Sequence, residues 1–166
     1  MPWRHFELLM RHHAWLAERL LDTAALLSPD ELDEPSPSHG TLLTTLRHIA
    51  DVDQSWGRTA RGEQVLSPQE LEAATPDLAA LRAFWLAEAA GLVEFAVGQA
   101  DADLERPVRP AWKRVDYSAA QILQHISNHA AEHGNEVGWR LSELGHSPGE
   151  LAFMGFVDLD RRRADT

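Results

Sequence analysis

Three histidines stand four residues apart in the C-terminal half of this chain, in His125-Ile126-Ser127-Asn128-His129-Ala130-Ala131-Glu132-His133. On a helix each step of four turns about 40° around the axis, so neighbouring members of the row share a face one turn apart. Two histidines at that spacing can grip one metal ion. All three cannot, because the first and third lie roughly 12 Å apart along the axis. Two ligands at most therefore come from this row, and a third must come from elsewhere. His48 is the best candidate, since it lies between the apolar positions Leu46 and Ile49 and so turns toward the core or a helix seam. Asp51 and Asp53 follow closely and can orient an imidazole or join the shell. A lone inward histidine is more often a hydrogen-bonded core residue, and histidines at this spacing can form a packing stripe. Spacing alone leaves both readings open.

Other chemistry is weaker or absent. His129 to His133 matches H-x-x-E-H, the inverted zinc-protease pattern, with Glu132 in the place of the general base. Five residues in a histidine-rich helix are weak support, and the β-rich catalytic domain of such proteases is missing. A di-iron bundle needs paired Glu-x-x-His motifs, and only Glu143 to His146 fits. No phosphate-binding loop, dinucleotide fingerprint or serine-nucleophile motif is present. The chain has no cysteine, which removes disulfides, thiolate ligands and a cysteine nucleophile. With 15 basic against 26 acidic residues the formal charge is −11, a field that repels nucleic acid. No run approaches the roughly 20 apolar residues of a membrane helix. The N-terminus carries no signal-peptide pattern. A cysteine-free chain of this kind fits the cytoplasm.

The elements that must position these residues are helical. Phe6, Leu9, Met10, Leu16, Leu20, Ala24 and Leu27 recur at helical spacing from about Trp3 to Leu27. A second helix runs from about Thr41 to Thr59, and a third from about Pro76 to Gln99. A fourth opens at Ser118-Ala119-Ala120-Gln121, a capping box, and reaches about Leu144. Ser28-Pro29-Asp30-Glu31 and Ser67-Pro68-Gln69-Glu70 are further capping boxes that open short extra helices. Residues 101–117, with two prolines and Trp112, read as a loop crossing the end of the molecule. No strand-period run argues for a sheet. The architecture expected is all-α, a four-helix bundle with short extra helices and a crossing loop. It forms one domain over residues 1–160, with 161–166 as a solvated tail. Trp15 and Trp85 are expected in the core, and Trp56 and Trp112 as cavity walls.

These stretches together resemble the DinB/YfiT superfamily. The resemblance rests on the opening helix around His13 to Leu21, on Leu46-Arg47-His48-Ile49 with Asp53 and Trp56, and on Ile122 to Glu136. It implies an up-down-down-up bundle, often a homodimer, with a three-histidine site for a divalent metal: zinc, nickel or iron. The ligands it implies are His48, His129 and His133, while His125 matches an extra histidine that is not a ligand. The chain departs from the family pattern after the site, where His-Arg-Gly-Gln becomes His133-Gly134-Asn135-Glu136. Gly134 and Gly138 each cost a helix about 1 kcal/mol relative to alanine, and so are read as points of close approach, here by a partner subunit. The function implied is a metal-dependent enzyme that activates an external low-molecular-weight thiol for S-transfer to a small-molecule substrate. Arg140 is then a candidate for a cofactor carboxylate, beside Trp112 and Trp56. The rival readings are a metal-dependent hydrolase, with Asp51, Asp53 or Glu132 as base to a metal-bound water, and a non-catalytic, stress-related metal-binding bundle.

Overall fold

The computed structural model describes residues 2–164. Its elements in chain order are α1 (Pro2–Ala24), α2 (Pro29–Leu32), β1 (Pro35–Ser36), β2 (Gly40–Thr41), α3 (Leu42–Arg61), α4 (Pro68–Ala74), α5 (Leu78–Val97), α6 (Asp101–Leu104), β3 (Pro107–Val108), β4 (Tyr117–Ser118), α7 (Ala119–Glu143) and α8 (Phe153–Ala164). Local chemistry places the boundaries. Ser28, Ser67 and Ser118 cap α2, α4 and α7 through reciprocal capping boxes. Thr41 caps α3 in the same way with Thr44, and the Asp77 carboxylate takes the Ala80 N–H at 2.8 Å to open α5. Gly62 closes α3 in the left-handed conformation, φ 75°, which glycine adopts without a side-chain clash.

The four long helices form an all-α bundle. Helix α1 packs against α5 and α7, and α3 packs against the same two, so α1 and α3 lie across a diagonal. Pairings along the seams set the directions. Asp22 meets Arg82, while Arg11 and Val93 line one groove, so α1 and α5 run antiparallel. Arg47 bonds Thr75, just before α5, while Gly57 abuts Leu92, so α3 and α5 run parallel. His48 meets His129 and Trp56 meets His125, so α3 and α7 run antiparallel. Up, down, down, up is the result.

Two apolar clusters fill the interior. One gathers Leu16, Leu20, Leu46, Ile49, Trp85 and Leu141; the other gathers Leu9, Met10, Leu92, Ile122, Leu123 and Ile126. Trp15 is only partly buried and packs against the first. A polar network is sealed within this core. The buried Asp53 carboxylate accepts a hydrogen bond from Trp85 Nε1 at 2.7 Å and meets His13 Nε2 at 2.5 Å.

Three expectations change. The loop at residues 101–117 holds the short α6, and its ends pair as β3–β4; β1 and β2 likewise form a two-residue ladder. Both ladders are too short to leave a period in the sequence. The solvated tail is not a tail throughout, because α8 continues to Ala164, although Arg161 and Arg162 are exposed as expected; residues 165 and 166 lie outside the described residues. The helical glycines face this chain's own side chains. A Cβ on Gly134 would stand 3.0 Å from Leu16 Cδ2, and one on Gly138 3.0 Å from Leu151 Cδ1. They admit α1 and the C-terminal segment, so no partner subunit is needed to explain them.

Candidate metal centre

The site is built by α3, α7 and the β1–β2 hairpin. His48 lies one residue before Ile49, a fully buried position of α3, so its ring emerges at the seam with α7. There it meets His129, with the two Nε2 atoms 2.9 Å apart. His133, one turn further along α7, stands beside this pair, its ring centroid 4.6 Å from that of His129 and 5.1 Å from that of His48. The three ligand atoms that converge as one group among the described residues are those of His39, His48 and His133, without His129.

A fourth histidine, unforeseen from the sequence, comes from the hairpin. Pro35 pairs with Thr41 and Ser36 with Gly40, and Gly40 turns the chain with φ 81°, a conformation that suits glycine. The Thr44 hydroxyl donates to the His39 carbonyl. The His39 ring thereby stacks on His48, centroids 3.7 Å apart and planes 25° apart. Ligand atoms of His39, His48 and His133 all lie within 4.8 Å of one another.

Glu136, one turn beyond His133, ties hairpin to helix. Its carboxylate accepts hydrogen bonds from Ser36 Oγ at 2.6 Å, Ser38 Oγ at 2.5 Å and Ser38 N at 3.1 Å. It also lies 3.2 Å from His133 Nδ1. A carboxylate on one ring nitrogen leaves the other free and more basic, as in the carboxylate–histidine pairs behind many metal sites. Burial pushes the Glu136 carboxyl up, but the bonds from Ser36, Ser38 and His133 together outweigh it and hold the group at about 2.

The electrostatics favour neutral rings. Burial, then the neighbouring His39 and His133, lowers the His48 pKa to about 4, against an opposing pull from Asp51 and Glu136. Burial, then His48, His133, His125 and His39, lowers His129 to about 3. A metal needs the unprotonated imidazole, so these rings are ready to bind near neutral pH. The residues fit such an ion on structural grounds too. His129 Nε2 meets only another imidazole, the ring of His48. Two nitrogens 2.9 Å apart are close to the spacing of about 3.3 Å required by tetrahedral bonds of about 2.0 Å.

The model of the DinB family matches residues 1–164. The chain belongs to the DinB family. No curated protein matches it.

In this DinB protein the remaining candidates separate. Trp56 and Trp112 do come together, 5.6 Å between centroids, with Tyr117 and His125 also against Trp56. His125 in turn stands 5.8 Å from His129, so this aromatic group adjoins the histidines. Asp51 remains near His48, where its charge is felt, and accepts a bond from Gln54. Asp53 does not serve the site, because its carboxylate is engaged by His13 and Trp85 in the core. Glu132 is exposed and has no hydrogen bond or ion pair to the site's histidines among those of the described residues. Arg140 is held at 2.9 Å by both Glu34 and Glu143; it pins the helix to the segment after α2 and is not open to a cofactor carboxylate. His39 carries no sequence signal beyond being one more histidine, since loops have no period to point a side chain. Glu136 was within reach, as it stands three residues after His133 on the same face.

Proposed function

We propose that this DinB protein holds one divalent ion through His48, His129 and His133 and uses it to activate an external low-molecular-weight thiol for transfer to a small-molecule substrate. The convergence of His48 Nε2 and His129 Nε2, 2.9 Å apart and with His133 beside them, is the observation that carries this reading. Such an ion supplies a Lewis acid at which a thiol is deprotonated near neutral pH. The chain's own residues do the rest. Glu136 orients His133, burial keeps His48 and His129 neutral, and Trp56, with Trp112 and Tyr117 packed edge-on against it, lends an aromatic wall beside His125. The nucleophile has to be external because the chain has no cysteine. The choice among zinc, nickel and iron is open to all three on imidazole chemistry. The hydrolase alternative is weakened, since Asp53 is held in the core by Trp85 and His13 and Asp51 already accepts a bond from Gln54.

The test is bound metal, measured by mass spectrometry on untagged protein beside His48→Ala, His129→Ala and His133→Ala. About one ion per chain, lost in all three variants, is the expected result. Thiol-dependent turnover in a screen of small thiols then separates S-transfer from hydrolysis, which proceeds without added thiol. Wild-type protein that takes up no metal when it is offered refutes the reading.

A further inference from the structure

The β1–β2 hairpin has no task in the reading above, yet it delivers an imidazole to the centre of the site. We infer that His39 is a fourth, detachable ligand of the ion, carried on a hairpin that Glu136 latches to α7. The inference rests on the proposed metal site and goes beyond it, because three histidines leave a position open and a fourth fills it. Structural sites are closed in this way and catalytic ones keep a position free. The state of the hairpin then decides which of the two this site is.

Three observations converge. His39 is on the site, with a ligand atom within 4.8 Å of those of both His48 and His133. Its ring covers the face of His48, 3.7 Å between centroids, and meets His133 at 4.9 Å. The hairpin is held by groups that do not otherwise need one another. Glu136 takes three hydrogen bonds from Ser36 and Ser38, across about a hundred residues of sequence, while the same carboxylate steadies His133. One residue thus couples the position of His39 to that of a helix-borne ligand. The attachment is also small. Ser38 is exposed and the β1–β2 ladder holds only two residue pairs, so beyond the Glu136 bonds to Ser38 and to the buried Ser36 it is the Thr44 bond to the His39 carbonyl that has to part. Release of the hairpin breaks few bonds and withdraws His39, freeing the position that an incoming thiol needs.

Nitrogen-15 NMR of histidine-labelled full-length protein, titrated with zinc, reads each imidazole separately. The expected result is ligand-type shifts at His39, His48, His129 and His133 together. His39→Ala should weaken zinc by roughly 10- to 100-fold against a competing chelator, the range seen when a supporting group is lost. Added imidazole should restore much of that loss. The double variant Ser36→Ala, Ser38→Ala keeps every ring and cuts the latch, and should lose the His39 shift while keeping those on α3 and α7. Zinc shifts at His48, His129 and His133 with His39 unmoved overturn this inference and leave the proposed function standing. Shifts at His39, His48 and His133 without His129 overturn the proposed ligand set and, because His39 is then a third ligand and leaves a position open, overturn this inference as well. No shift at any histidine overturns both.

Discussion

His48 and His129 meet ring to ring because α3 and α7 run antiparallel and each turns one imidazole into the shared seam. Removing the group that orients a ligand is the sharpest residue-scale test. Glu136→Gln keeps the size of the side chain but weakens its hold on His133 and on the hairpin. Zinc affinity should fall by about 10- to 100-fold, read by chelator competition. The same carboxyl sets a pH window. It is lowered from 4.5 to about 2 in the fold, so the charged form is favoured by folding. Its contribution to stability is complete above pH 4.5 and is lost as pH falls through about 2. Urea unfolding of metal-free protein should therefore show wild type ahead of Glu136→Gln near neutral pH, with the gap closing below pH 4.5. Asp53 gives the contrasting case. Asp53→Leu leaves His13 and Trp85 facing an apolar side chain, and each buried donor left unsatisfied costs roughly 1–3 kcal/mol. Denaturant titration should show that loss, while any protein that folds should still bind metal, because this carboxylate serves the core and not the site.

At the scale of elements, α7 is the helix on which most depends, and its glycines show how it is seated. A methyl group on Gly134 would meet Leu16 Cδ2 at 3.0 Å and Leu20 Cδ1 at 3.4 Å, and both leucines are buried. Overpacking at such a place costs about 1–3 kcal/mol, against about 1 kcal/mol returned by alanine's helix propensity. Gly134→Ala should therefore lower the melting temperature. Gly138 faces Leu151 Cδ1 and Pro148 Cγ. Leu151 is only partly buried and has room to give way, so Gly138→Ala should be neutral or mildly stabilising. Equal destabilisation by both would show that the C-terminal segment is seated as rigidly as α1. The capping boxes of α2, α4 and α7 were legible as Ser-x-x-Glu and Ser-x-x-Gln because that chemistry is local. The two-residue ladders were not, since pairing Ser36 with Gly40 leaves no alternation to read.

For the molecule as a whole, the C-terminal segment closes over α1. His12 sits with Phe153 and Phe156, ring centroids 5.3 and 5.5 Å away, and its Nε2 lies 3.0 Å from the Leu151 carbonyl. Burial, partly offset by that carbonyl bond and reinforced by His13, lowers the His12 pKa below 6.5. Folding thus favours the neutral ring, so this stabilisation is present above pH 6.5 and lost as pH falls through the lower, folded value. Melting temperatures measured from pH 8 downward should drop faster for wild type than for His12→Leu once pH passes about 6.5. Parallel curves would show that His12 does not couple the segment to pH. Among the described residues no helix is long and apolar enough to cross a membrane, consistent with the surplus of 26 acidic over 15 basic residues on the chain.

Helical period, capping chemistry and the four-residue spacing of His125, His129 and His133 are properties of neighbouring residues, and they were enough to establish the bundle and to place two histidines on one face of one helix. The pairing of α3 with α7 had to be met in the structure, where it brings His48 to His129 across 81 residues. So did the withdrawal of Asp53 into the core, the engagement of Arg140 by Glu34, and the delivery of His39 by a hairpin tied to Glu136. Each of these joins groups far apart in the chain. Sequence period carries information about which side a residue faces, and only packing decides what stands opposite.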